Sequence, residues 1–424
     1  MQGDEAKAWG QLIKYNRQQQ NFKQDDVAVG ICTPSYLSRI ENGVVIAEPK
    51  VYELLFRRLG IDLQQEQNER NKKIAFLEQL YEKLISNEAL SNEEIVQVKN
   101  IHTKQYQQEL AIFAGLIYTR YLLAENVLDE ANEFIQTMAP FITWRNDRIT
   151  QLYVSITAFA HLSNHQFMEL VEREKTQHSG QFLLKASLFE QANYAYHLAF
   201  ASHRCYMFQQ AFVHIENATK LFSHQFKPLF QLKLYSMKGV IYNDLHRFQE
   251  AQIEFDAALD ILSNVEAIQN PLQWSSLHNN IAYCYECQGL FSQAMHHYEK
   301  ANRHQEDLLS AVNWMRTCYQ QGDLEKLNAL LLKYPEHQFH VTHQIYQRQL
   351  LQFASHGELT IPALKELEER IFPYFDEQQY YSLVLYYAPV WGNFYEQLHA
   401  YKQANVCYKR ALEASEKVRQ RMSR

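Results

Sequence analysis

Glycine and proline are scarce in this sequence, 12 and 9 of 424 residues. Turns that require a positive or a fixed φ are therefore few. Leu, Gln, Ala, Glu and Tyr are plentiful instead, and helix formers dominate. The expectation is an all-α fold. Long apolar runs are missing too: none approaches the roughly 18 residues of a membrane-spanning helix. The opening "MQGDEAKAWG" also lacks the charged-then-apolar pattern of a secretory signal. A cytoplasmic protein with no membrane partner is expected. Six cysteines, Cys32, Cys205, Cys284, Cys287, Cys318 and Cys407, are scattered through the chain, unlike the dense framework of small secreted domains, so free thiols are expected. The length exceeds that of one ordinary domain and calls for several units or a repeat array.

Charge is unevenly placed. Residues 1–63 hold eight basic and eight acidic side chains, so the entire net charge of −7 lies on the remainder. An acidic bulk repels phosphate, which confines any nucleic-acid contact to the first segment.

That segment reads as four or five short helices. "AWGQLIKYNRQQQ" sets Trp9, Leu12 and Ile13 at helical spacing; "KQDDVAVGI", "TPSYLSRIEN" and "EPKVYELLFRRLGI" follow. Pro34 near the start of the third helix and Gly43 beyond its end fit the preference for proline first and glycine last. The series Gln24, Ala28, Ile31, Ser35, Leu37, Ile40, Glu41, Asn42, Gly43 is a helix-turn-helix signature, with Ala28 small where two helices cross. Leu37 and Ile40 face a core, which turns Ser35, Ser38, Arg39 and Asn42 outward.

This stretch resembles the repressor-type helix-turn-helix of the Xre class. "IC..S.LSRIENG" is most similar to the peptide-responsive regulators of Gram-positive bacteria, the RRNPP family, and especially to its neutral-protease and phospholipase regulators. The resemblance implies that Ile31–Gly43 holds the recognition helix. It would present Thr33, Pro34, Ser35, Tyr36, Ser38 and Arg39 to operator DNA, with Arg39 forking onto guanine and Gln24 and Asn42 holding phosphates. Two departures stand out. Lys23 occupies the usual Ser/Thr cap position, which costs about 1 kcal/mol of helix stability, and the inter-helix turn is one residue short.

Beyond residue 63, "LQQEQNERNKKIAFLEQLYEKL" reads as a helical linker over 64–80. From 81 to 424 a motif of an aromatic or aliphatic residue, two residues, then Ala or Leu recurs. It begins at Leu128, Phe167, Phe208, Phe248, Phe291, Leu324, Ile361 and Tyr401, with spacings of 39, 41, 40, 43, 33, 37 and 40. The period slightly exceeds the roughly 34 residues of a minimal tetratricopeptide repeat. Around Phe248 stand Tyr235, Gly239, Tyr242, Ala251, Phe255 and Ala258. Around Phe291 stand Ala282, Tyr285, Ala294, Tyr298 and Ala301; around Tyr401, Gly392, Tyr395, Ala404, Tyr408 and Ala411. Small residues let the two helices of a pair approach, and aromatics fill the space between pairs. A right-handed α-solenoid of eight or nine helix pairs is expected, its C-terminal repeats contributing to self-association.

Taking each motif start as position 17, positions 2, 5, 9 and 12 of the preceding helix face the inner surface. They give Arg120, Asn193, His203, Asn243, Asn279, Tyr283, Glu286, Arg316, Tyr319, Asn393 and Glu396. An Asn amide donates to a carbonyl and accepts from an N–H at once, so Asn on separate repeats can hold an extended peptide without reading its side chains. Arg120 or Arg316 can pair with a carboxylate.

Reactive constellations are lacking. "CYEC" (Cys284, Cys287) has no second pair at zinc spacing and sits within a repeat helix, where a core role is expected. His296 and His297 point to different faces, and no catalytic triad or phosphate loop is visible. The expectation is a non-enzymatic regulator without metal or cofactor. By resemblance it would bind operator DNA through its head and a short signalling peptide in its repeats, and would self-associate. The alternative is an adaptor whose repeats sequester a response regulator in the manner of the Rap proteins.

Overall fold

A computed structural model of the chain describes residues 3–102, 108–145 and 147–422. Among these there are twenty-two α-helices and no strand. The head comprises α1 (Gly3–Gln19), α2 (Gln24–Ala28), α3 (Pro34–Glu41) and α4 (Pro49–Arg58). They close over Ile13, Ala28, Leu37, Ile40, Tyr52, Leu55 and Phe56. Ala28 is buried at the crossing as expected. Gly10 is as critical and less conspicuous, because a Cβ there would run into the Ile40 carbonyl. Lys23 gives α2 no side-chain cap; instead the Asp26 carboxylate accepts from the Lys23 N–H at 2.8 Å.

Helix α5 (Leu63–Ile85) starts on an Asp62 cap that accepts from the Gln64 and Gln65 N–H groups, and it ends with Leu77, Leu80, Tyr81 and Leu84 buried. The expected linker and the first repeat helix are therefore one continuous rod. Its partner is α6 (Asn92–His102). The remaining first helices of pairs are α7 (Gln108–Ala124), α9 (Arg148–Ser163), α11 (Leu188–Arg204), α13 (Pro228–Asp244), α15 (Pro271–Cys287), α17 (Leu308–Gln321), α19 (Thr342–His356) and α21 (Tyr381–Gln397). Their partners are α8 (Leu128–Met138), α10 (Phe167–Gln177), α12 (Phe208–Phe222), α14 (Phe248–Asn264), α16 (Phe291–His304), α18 (Leu324–Lys333), α20 (Ile361–Glu377) and α22 (Tyr401–Met422). All eight motif starts read from the sequence are the first residue of a second helix. The fold is all-α: a helix-turn-helix head, then a solenoid of tetratricopeptide-like pairs.

The turn inside each pair is equally regular. Asn126, His165, Tyr206, His246, Gly289, Gly322 and His399 each stand two residues before a motif start with positive φ. A chain poor in glycine thus closes most of these turns with Asn, His or Tyr in the left-handed region, at a cost of about 1–2 kcal/mol each. Part of that cost is offset by ring contacts onto the motif residue: His165 on Phe167 at 5.7 Å, His246 on Phe248 at 5.8 Å and Tyr206 on Phe208 at 6.1 Å.

Contacts divide the chain into two compact units, Met1–Tyr194 and Ala195–Arg424. In the second, Ala251, Phe255 and Ala258 are fully buried, and so are Ala294, Tyr298 and Ala301. The interlock is tight: a Cβ on Gly239 would lie 2.5 Å from the Phe255 ring, and one on Gly392 would lie 2.5 Å from Tyr408. Replacing Gly239 by Val should therefore destabilise this unit by about 1–3 kcal/mol through overpacking. A Phe255→Leu change in the same chain should recover part of the loss. Urea unfolding of the two variants checks this, and additive losses would show that the ring and the glycine are not interlocked.

Candidate functional site

Helix α3 is delimited at both ends. Thr33 is its N-cap, its hydroxyl accepting from the Tyr36 N–H at 3.2 Å, and Pro34 follows at the first position. At the other end Val44 N–H donates to Arg39 O and Gly43 N–H to Ile40 O, a Schellman closure with Gly43 at φ 69°. Leu37 and Ile40 are fully buried, and Thr33, Pro34, Ser35 and Arg39 are exposed. Ser38 is half-buried, and Tyr36 packs partly against the core.

The helix is held in place by a charge, Glu41, that belongs to the sequence signature but whose anchoring role the signature does not reveal. Glu41 is 1 % exposed and accepts from Arg17 at 2.6 and 2.9 Å and from the Gln24 amide at 2.8 Å. The hydrogen bonds to Glu41 raise the Arg17 pKa, against a smaller effect of burial. Gln24 is thus turned towards Glu41. Asn42 accepts from Lys14 at 2.9 Å and donates to Ser38 O. Both amides of the expected phosphate pair are engaged within the head.

In the first unit, Arg120 is buried on the Phe159 ring, 3.7 Å from its centroid, and donates to Leu84 O at 3.2 Å. Burial lowers its pKa to about 10. Beside it, Tyr81 donates to Ser155 Oγ at 2.8 Å. Arg148 clamps Glu78 of α5 at 2.6 and 2.7 Å and Glu190 of α11 at 2.7 Å. Asn193 is buried on α11.

In the second unit, several inner residues read from the sequence bond across to a neighbouring first helix. His203 meets Asp244 at 2.6 Å, and the Asn243 amide, 2 % exposed, donates to Cys287 Sγ at 3.5 Å. Asn279 accepts from Asn313 at 3.2 Å. Arg316 forks onto Glu286 at 2.7 and 2.8 Å, and Tyr298 donates to the same carboxylate. Burial opposes the Arg316 charge, but Glu286 holds its pKa above the ordinary value. Tyr283 and Tyr319 are half-buried; Asn393 and Glu396 are exposed, Asn393 accepting from Tyr408.

This unit also curls until its ends touch. The Tyr206 hydroxyl accepts from Ser382 N at 3.3 Å, and its ring lies 5.5 Å from Tyr381. No local pattern announces a contact across 176 residues. A cavity of about 160 Å³ in this unit is lined only by α11, α13 and α15, with Tyr196, Lys233, Ser236, Gln273, Ser276 and Asn280 in its wall. The position count that gave the Asn series reaches four of these six, but their ordinary Tyr, Lys and Ser identities carried no signal.

Cys284 lies in the core and burial raises its thiol pKa to about 11. Among the described residues no group of three or more His, Cys, Asp or Glu is placed to hold a metal ion. His297 Nδ1 lies 3.2 Å from His278 Nδ1, and burial, with Lys300 and His296 adding, lowers its pKa to about 4; His343 is lowered to about 4 by burial and Arg204. No helix of the described residues is long and apolar enough to cross a membrane.

Two outcomes follow. Glu41→Ala leaves Arg17 and Gln24 without their carboxylate and should destabilise the head by about 3–5 kcal/mol, whereas Arg39→Ala should leave its melting unchanged; circular dichroism of the two variants distinguishes them. His297 and His343 take up protons more readily when unfolded, near 6.5, than when folded, near 4. Stability should therefore fall as pH drops through that interval. Thermal melts at stepped pH should show this slope, and His297→Gln should flatten it.

Comparison with known proteins matches a helix-turn-helix family model to residues 13–65. The chain is 22% identical over 406 residues to the transcriptional activator NprA of Geobacillus stearothermophilus, covering 90% of this chain and 97% of that one. It is similar in fold to a Rap protein complexed with Competence and Sporulation Factor (TM-score 0.68, 12% identity, 83% of this chain and 99% of that one). It is also similar to the apo quorum sensor NprR of B. thuringiensis (TM-score 0.64, 14% identity, 84% and 100%).

Proposed function

We propose that the chain is a cytoplasmic quorum-sensing transcription regulator of the RRNPP kind; its helix-turn-helix match, its similarity to the transcriptional activator NprA and its fold likeness to NprR support this reading. Residues 1–63 read operator DNA, α5 carries the linker over 64–80, and residues 81–424 bind a short signalling peptide and self-associate. The observation that carries this is α3: capped at both ends, anchored through Glu41, and presenting Ser35 and Arg39 to solvent. A helix held that firmly loses little freedom on entering a major groove. Pro34, Ser35, Ser38 and Arg39 approach base edges, with Thr33 and Tyr36 beside them.

The inner face of the repeats is the peptide surface. In the second unit Asn279, Tyr283, Tyr319 and Asn393 offer amides and hydroxyls to a peptide backbone; in the first, Arg120 and Asn193 are buried, so a peptide reaches them only if that unit's helices shift. Asn243, His203, Glu286 and Arg316 brace neighbouring helices, so peptide contact with them accompanies a change in how the pairs stack. The peptide shifts the regulator only by binding one stacking arrangement better than the other. Self-association is supported by α22, the last helix, whose Val406 and Leu412 are 51 % and 61 % exposed. The fold similarity to a Rap protein supports a second reading, in which the repeats capture a response regulator while the heads are idle.

Arg39→Ala should lose about 1–3 kcal/mol on a specific site and relax preference at one base pair. Selection of sites from random duplex DNA, then anisotropy on the selected and a scrambled duplex, reads this. Equal affinity for both duplexes before and after the change would remove the DNA-reading role. A footprint covering two half-sites one helical turn apart, or a multiple, is expected of paired heads.

A further inference from the structure

The Asn42 amide is committed at both of its ends: Nδ2 donates to Ser38 O at 2.9 Å, and Oδ1 accepts from the Lys14 ammonium at 2.9 Å. Lys14 belongs to α1. Lys7 stands two turns before it on the same face, with Gly10 between them. Gly10 is where α1 presses on the end of α3, since a Cβ there would run into Ile40 O. The two lysines therefore straddle the C-terminal end of α3. The Lys7 stem lies along Gly43, whose added Cβ would be 3.0 Å from Lys7 Cγ, while Lys14 reaches Asn42. Glu41, the one acidic residue of α3, is buried and shared by Arg17 and Gln24. Lys14 meets a neutral amide instead, and that bond leaves its charge uncancelled.

Ser35, Arg39 and Asn42 are exposed and spaced four and three apart, so they form one stripe with Lys14 at its end. The eight residues of α3 make a helix roughly 12 Å long at about 1.5 Å per residue. The major groove is roughly 8.5 Å deep. With the first turn of α3 at the base edges, its last turn stands level with the phosphate walls of the groove.

We propose that Lys7 and Lys14 are phosphate contacts of the head, a clamp on the duplex backbone at the C-terminal end of α3. Asn42 is then a positioning residue that aims Lys14 and not a phosphate ligand itself. Both lysines also complement the negative end of the α3 dipole. That attraction fixes where their stems lie and does not use up their protons: an ammonium has three, and Lys14 gives one to Asn42. The proposal rests on the reading that α3 enters DNA.

The test uses the full-length protein with a duplex selected from random DNA and a scrambled duplex, titrated by anisotropy at stepped NaCl. Lys7→Ala and Lys14→Ala should each flatten the slope of log affinity against log salt by about 0.9, the mark of one lost phosphate contact. The flattening should be the same on both duplexes, with their affinity ratio kept, whereas Arg39→Ala narrows that ratio. A head that is merely destabilised loses the same fraction at every salt concentration and keeps its slope. Lys14→Arg should keep the slope too. Asn42→Ala should flatten it as Lys14→Ala does, and the double variant should be no flatter than Lys14→Ala alone. Unchanged slopes in both lysine variants overturn the clamp and leave the DNA reading standing. Further flattening in the double variant gives Asn42 its own phosphate and overturns the positioning role. If the unaltered protein binds neither duplex, the DNA reading falls and the clamp with it.

Discussion

A pair of antiparallel helices of this length cannot bury its own apolar faces, and everything beyond the head depends on how each pair finds cover. The solution is the interlock of a small residue on the first helix with an aromatic on the second, as Gly239 accepts Phe255. It brings the two axes close and leaves the opposite face to the next pair. Because each pair is covered mainly by its neighbours, a change in one stacking angle passes along the unit rather than being absorbed by a central core. That property suits a ligand-controlled protein. It also explains why so many inner polar groups bond from one first helix to the next: His203 to Asp244, Asn279 to Asn313, Glu286 to Arg316.

Within the first unit, helix α5 joins the head to the first repeats. It leaves Asp62 as a capped helix and, without a break, buries Tyr81 and Leu84 among the first repeats. Arg148 grips it through Glu78 while holding Glu190 of α11. Such a three-way ion pair is only partly exposed, so its geometry is fixed more firmly than a surface pair. Tilting α9 against α11 would therefore carry the end of α5 with it. A flexible Gly/Ser linker would lose such a displacement, whereas the Gln/Glu/Lys-rich stretch between residues 64 and 80 is helical.

The inner face shows why residue type alone misleads about ligand contacts. Position counting selected residues by chemistry, and Arg316 and Glu286 were good candidates on that basis. Once the pairs stack, an Arg and a Glu on neighbouring helices satisfy each other, because two buried opposite charges left apart would each cost several kcal/mol, order ~10⁰–10¹. Plainer residues line the cavity of the same unit, where Ser236 and Ser276 stand on neighbouring helices.

Much was legible in the sequence because it is set by local rules. Periodicity located the first residue of eight of the nine second helices, since Phe208 or Tyr401 marks the point where an apolar stripe begins. Proline first and glycine last bounded α3, and Leu37 and Ile40 determined which way Ser35 and Arg39 point. What the tertiary structure alone decided are the contacts between residues far apart in the chain: Arg17 on Glu41, Arg148 between Glu78 and Glu190, and Tyr206 on Ser382. Helix formation is decided within a few residues, so it leaves a periodic trace. Partner choice among long polar side chains depends on curvature accumulated over several pairs, and curvature leaves no trace in any one of them.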